Sequence, residues 1–139
     1  MENPSKEIAD VVHQICTSLS PDVQKETIER CFTHDAAFDH PLVSVPGGPG
    51  SRERLLGVYQ WYRVLSPNTK VEVKHTTWDE ANKLLWLDVC QTFSPRISPL
   101  PGFPADMVVR LSMRKEGNLW CIEHQQDFFE PAVSICGHF

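Results

Sequence analysis

Apolar residues recur along this chain with two periods, and the period changes once, near residue 68. Ile8, Val11, Val12, Ile15, Cys16 and Leu19 sit at helical spacing, which predicts a helix over 6–19. Ser20-Pro21-Asp22 closes it and opens a second over 21–31, with Ser20 as N-cap and Pro21 in the first turn. Val23, Thr27, Ile28, Cys31 and Phe32 form the second stripe. Ala36-Ala37-Phe38 reads as a short strand leading into Asp39-His40-Pro41, and the three Gly and two Pro between Val43 and Gly50 read as a loop. Ser51 is then expected to cap a third helix over 51–65, whose buried face is Leu55, Val58, Tyr59, Tyr62 and Leu65.

Beyond Ser66-Pro67-Asn68 the period falls to two. Val71, Val73 and His75 alternate with polar neighbours; so do Leu85, Leu87, Val89, Gln91 and Phe93. Met107, Val109, Leu111 and Met113 form a third such frame, and Trp120, Ile122, His124, Gln126 and Phe128 a fourth. Turns are expected at Asp79 to Asn82 and at Glu116-Gly117-Asn118, and a long one from Pro95 to Pro104 carries four prolines. Three helices followed by four long antiparallel strands make an α+β domain, helices on one face of a curved sheet. A cavity is expected between the third helix and the inner sheet face.

A chain of 139 residues is long enough for one domain, 1–139, with its own core. Net charge is −5, and no Lys/Arg run exceeds two residues, which disfavours a nucleic-acid partner. No apolar stretch approaches the roughly 20 residues of a bilayer span, and the N-terminus lacks the pattern of a signal peptide, so a cytoplasmic protein is expected. The five cysteines (Cys16, Cys31, Cys90, Cys121, Cys136) are odd in number and contain no Cys-x-x-Cys, which argues against a disulfide framework and a zinc site. Neither a phosphate-cradling glycine loop, a nucleophile elbow nor metal-ligand spacing occurs, so no metal and no cofactor are expected.

Candidate chemistry follows from polar residues that interrupt apolar frames. His75, Gln91, His124 and Gln126 do so, and a buried polar side chain must find a partner or cost roughly 1–3 kcal/mol. Either a ligand or one another can supply it. His124 is a candidate acid or base. Asp127 falls in the opposite frame and would face solvent or an interface, unless a strand bulge turned it inward, where a carboxylate suits enolisation. Tyr59, Trp61 and Tyr62 place aromatics on the third helix, either as plain core or as the lining of a site for a polycyclic apolar ligand with a hydroxyl donor. Ile97, Leu100 and Phe103 on the long turn suggest a lid or a dimer contact. Trp86 and Val108 lie in outward frames, so a homodimer through the outer sheet face is expected.

The segments Pro4 to Val12, Phe32 to Pro41, Tyr59-Gln60-Trp61-Tyr62-Arg63-Val64-Leu65-Ser66-Pro67, Gln91-Thr92-Phe93 and Gln125-Gln126-Asp127 resemble the nuclear-transport-factor-two-like (SnoaL-like) superfamily, and most closely its fungal sigma-F-like group. The resemblance implies a cone-shaped fold around one apolar pocket. It also implies a cofactor-free enzyme of fungal secondary metabolism that isomerises, dehydrates or cyclises an apolar polyketide or terpenoid, a cycloaddition included. It puts His40 at the border of the cavity, as a further candidate acid or base beside His124 and Asp127. The alternative, a binding or assembly domain without turnover, is open at this point, because a fold alone does not fix a reaction.

Overall fold

The computed structural model describes residues 1–97 and 102–129. Helix α1 runs Pro4–Thr17 and α2 runs Pro21–Cys31. Each opens on a proline, whose missing N–H costs nothing in a first turn. The Ser20 hydroxyl accepts the Val23 N–H at 3.3 Å, so the expected cap is in place. Helix α1 stops two residues short of its expected end, because Ser18 turns extended (φ −64°, ψ 136°) and its hydroxyl takes the Ser20 N–H. Helix α3 runs Ser51–Leu65. Its N-cap is Gly50 in the left-handed region (φ 76°), not Ser51, which occupies the first helical position and is fully buried.

The strands are β1 (Phe32–His40), β2 (Val43–Val45), β3 (Lys70–Asp79), β4 (Leu84–Phe93), β5 (Phe103–Glu116) and β6 (Leu119–Phe129). They form one sheet in the order β2-β1-β6-β5-β4-β3, with α1 packed on β3 and α3 on β1. Three expectations are corrected. The short strand is nine residues long, and the glycine-rich stretch after it begins with a three-residue strand, β2, hairpinned onto β1. The sheet is also mixed, since β1 pairs with β6 in parallel. Some eighty residues separate those two strands, so no tight turn dictates their direction. The four strands after residue 69 do form an antiparallel meander, as the period-two pattern predicts. The core lies between the helices and the inner sheet face, where Leu85, Leu87, Leu111, Met113 and Ile122 are buried against Ile8, Ile28 and Leu55.

Two bulges break strict alternation. On β3, Val73 pairs with Val89 but His75 pairs with Asp88, leaving Lys74 extra. On β6, Ile122 pairs with Met113 but His124 pairs with Ser112, leaving Glu123 extra. An extra residue reverses the face of everything that follows it in the strand.

Candidate functional site

The inner sheet face and the helices enclose a cavity of about 280 Å³. Helix α1 contributes Ile8, Val11 and Ile15, the strands Leu87, Val89, Val109 and Leu111, and β1 Phe32 and Phe38. The sequence pattern places the cavity under α3 alone; α1 is an equal wall, because its apolar stripe lies over β3 and not only against α2. Leu42, which is 82% exposed, marks the open side next to His40.

Few polar groups interrupt this lining. Asp127 and Gln125 project inward from β6 and are buried, at 9% and 8% exposure. Gln125 Nε2 donates to Tyr59 Oη at 2.8 Å and to Asp127 Oδ1 at 3.0 Å. Burial in this apolar wall raises the Asp127 carboxyl from 3.8 to about 7, against the opposing effect of the Gln125 hydrogen bond. Burial, with the Asp127 charge adding to it, pushes Tyr59 well above its ordinary value, so Tyr59 stays a neutral phenol. Cys16 on α1 shares the cavity, and its thiol is pushed up to about 12 by burial, which leaves no nucleophilic thiolate near neutral pH.

A second polar group lies at the open side. His40 Nδ1 accepts the Leu42 N–H at 3.1 Å and lies 3.3 Å from the Tyr62 hydroxyl. A backbone N–H can only donate, so Nδ1 carries no proton and Nε2 holds it. The ring sits between Tyr62 and Phe129, with centroids 5.6 and 5.1 Å away, and burial lowers its pKa, so His40 is neutral. Gln91 lines the cavity from β4. Arg63 of α3 also borders it, with its guanidinium spent on four backbone carbonyls: those of Ser18, Cys16, Ser66 and Pro67, at 3.0 to 3.3 Å.

The structure brings His40, Tyr59, Tyr62, Gln91 and Asp127 to one cavity. It does not bring His124, Gln126 and His75 there, which corrects the frame reading of β6 and β3. The Glu123 bulge puts His124 and Gln126 on the outer face. There His124 Nε2 lies 2.6 Å from Asp39 Oδ2, and Gln126 Oε1 accepts from Arg110 at 3.3 Å. The Lys74 bulge does the same to His75, which is exposed and faces Asp88. Asp39 therefore orients His124 and not its neighbour His40, and that hydrogen bond lowers its pKa. Gln125 is the residue the frame argument misses; its sequence signals are its place two residues before Asp127, hence on the same face of the strand, and the Gln125-Gln126-Asp127 segment that carries the resemblance. Leu100, the Phe103 side chain and Cys136 lie outside the described residues, and the expectation of a lid goes with them. Among the described residues no cluster of His, Cys, Asp or Glu is arranged to hold a metal ion, and no helix is long and apolar enough to cross a membrane.

A family model described as the SigF NTF2-like domain matches residues 1–138. Among solved structures, the chain is similar to a protein with a ketosteroid isomerase-like fold from Catenulispora acidiphila, in complex with trimethylamine. Identity there is 18%, coverage 91% of this chain and 87% of that one, and the TM-score 0.70. A SnoaL-like family protein from Agrobacterium tumefaciens is 12% identical over 91% and 97% of the two chains, with a TM-score of 0.70. The epoxide hydrolase/cyclase-like enzyme SalBIII, of pyran ring formation in the polyether salinomycin, is 14% identical over 95% and 96%, with a TM-score of 0.66. At these identities the likeness establishes the fold. No curated protein matches the chain.

Proposed function

From the premise that the chain belongs to the SigF NTF2-like domain family, we propose that the cavity is the active site of a cofactor-free enzyme acting by proton transfer on an apolar polyketide or terpenoid. The reaction class is isomerisation, dehydration or cyclisation. The setting is fungal secondary metabolism, in the cytoplasm, with residues 1–139 acting as one domain. One observation carries the reading: a carboxyl group with a pKa of about 7 stands in an apolar cavity beside a phenol. A general acid or base works best when its pKa lies near the operating pH. In its ionised form Asp127 takes a proton from a carbon next to a carbonyl. The Tyr59 hydroxyl, whose oxygen accepts from Gln125, has its hydrogen free to donate to the oxygen that gains charge. The protonated Asp127 then returns the proton elsewhere on the substrate, or protonates a departing hydroxyl. Gln91, Tyr62 and neutral His40 orient the substrate near the open side, with His40 Nε2–H as a second donor.

The support for a ring-forming or isomerising reaction is the cavity itself together with the cyclase-like and isomerase-like relatives of this fold. The test is proton–deuterium exchange at the α-carbon of a panel of bicyclic enones in D₂O, followed by NMR. Asp127→Asn should slow exchange by about a hundredfold or more, the usual size of a lost general base. Exchange equally fast in Asp127→Asn, with the enone bound, removes Asp127 from the chemistry. No exchange with any enone by the unaltered protein favours the reading as a ligand-binding domain.

A further inference from the structure

We propose that Gln125 is a positioning residue that couples the two reacting groups, so that in the ligand-free cavity the Tyr59 hydroxyl is free to donate only while Asp127 is ionised; a substrate oxygen already held by Tyr59 keeps that hydrogen when Asp127 takes up the proton. The inference deepens the proton-transfer reading and rests on it for its catalytic meaning. The amide of Gln125 stands between the two groups and touches both, at 2.8 Å to Tyr59 Oη and 3.0 Å to Asp127 Oδ1. Both contacts come from the same nitrogen, Nε2, which has two hydrogens and so commits both. An ionised carboxylate is acceptor-only, and it holds the amide in this orientation. The second hydrogen then goes to the Tyr59 oxygen. The hydroxyl becomes an acceptor toward Gln125 and keeps its own hydrogen for the cavity.

A protonated carboxyl reverses the preference. It now has an O–H to donate, and so has Tyr59. A half-turn of the amide offers Oε1, with two lone pairs, to both. Two O–H···O bonds replace two N–H···O bonds, and O–H donors make the shorter contacts. The Tyr59 hydrogen is then consumed by Gln125. In the ligand-free cavity the base in its active form and the donor in its active form thus occur together, and the protonated site presents neither. The remaining groups around the cavity do not substitute for this link. Cys16 on α1 is a thiol kept protonated, His40 on β1 is neutral and engaged with Leu42 and Tyr62, Gln91 on β4 is uncharged, and Arg63 on α3 donates to four carbonyls.

The chain has only two tyrosines, Tyr59 and Tyr62, which makes the idea measurable without a substrate. In Tyr62→Phe protein the tyrosine Raman doublet, whose intensity ratio reports whether the hydroxyl donates or accepts, comes from Tyr59 alone. Should that variant not fold, the difference spectrum between unaltered protein and Tyr59→Phe isolates the same signal. The expected result is a change of the Tyr59 doublet toward a strong donor as pH falls, with the same midpoint as the ¹³C carboxyl shift of Asp127. In Gln125→Met, or Gln125→Leu if that one folds better, the Asp127 carboxyl should still titrate, at a higher midpoint for want of its donor, while Tyr59 no longer responds. A Tyr59 doublet that is flat while Asp127 titrates overturns the proposal, and so does one that still follows Asp127 without Gln125. Protein that shows the coupling but exchanges no proton with any enone loses the enzymatic reading and keeps the coupling.

Discussion

A carboxyl group held at about 7 in the folded state and at 3.8 when solvated binds its proton more tightly folded than unfolded. Its contribution to stability is therefore intact below the unfolded value and is lost as pH rises through the folded one. The displacement corresponds to roughly 4 kcal/mol at about 1.4 kcal/mol per pH unit, most of it lost between pH 4 and 7. Asp127→Asn keeps an oxygen for the Gln125 donor and has no charge to bury. It should be more stable than the unaltered protein at pH 8, by up to that amount, and the two should converge toward pH 4. Urea unfolding at pH 4.5 and 8 checks this; equal midpoints at pH 8 would mean that Asp127 is solvated. The stability given up at neutral pH is consistent with a group kept for chemistry. The outer-face partners behave oppositely. Arg114 holds Asp35 down at about 2 through a 2.8 Å hydrogen bond, and that pair lies at the surface, where it contributes little.

At the scale of the element, Glu123 decides which residues of β6 face the cavity. It is the extra residue of β6, and it puts His124 on the outer face and Gln125 and Asp127 on the inner one. Deleting Glu123 leaves Ile122, Gln125 and Asp127 on one face by plain alternation. The variant should fold, lose only the half-exposed ion pair to Arg114, and keep the Asp127 midpoint near 7 by carboxyl NMR. Deleting Gln126 instead turns Asp127 outward, and its midpoint should fall toward the ordinary carboxylate range. A midpoint near 7 in the second variant would overturn this account of the strand. The same bulge explains what is legible in the sequence. Helix spans, turns and the apolar inner frames of β4 and β5 follow from period and capping, so Tyr59, Tyr62 and Gln91 are found on the cavity from pattern alone. His124, Gln126 and His75 are misplaced because each follows a bulge, and no residue type marks a bulge when the extra position is an ordinary Glu or Lys. The parallel pairing of β1 with β6 is likewise invisible, since it joins segments far apart in the chain.

For the whole molecule, the outer sheet face carries Trp86 and Val108, each 37% exposed, and Phe128 at 49%. We propose that two copies meet there. Light scattering at micromolar concentration should give twice 15.8 kDa, and Trp86→Lys should give the monomer mass with the Asp127 titration unchanged. A monomer in the unaltered protein would remove this interface. The opposite side of the molecule is closed by Arg63, whose one guanidinium gathers carbonyls from the end of α1 and the end of α3. The two helices are thus riveted together and behave as the fixed half of a mould. The strand side is the half whose inserts exchange freely. Leu87, Val89 and Val109 stand on a hydrogen-bonded ladder that keeps its course whichever apolar side chain it carries. Reshaping this cavity for a larger or differently bent guest is therefore a matter of re-cutting those three strand positions, with the helices left as cast.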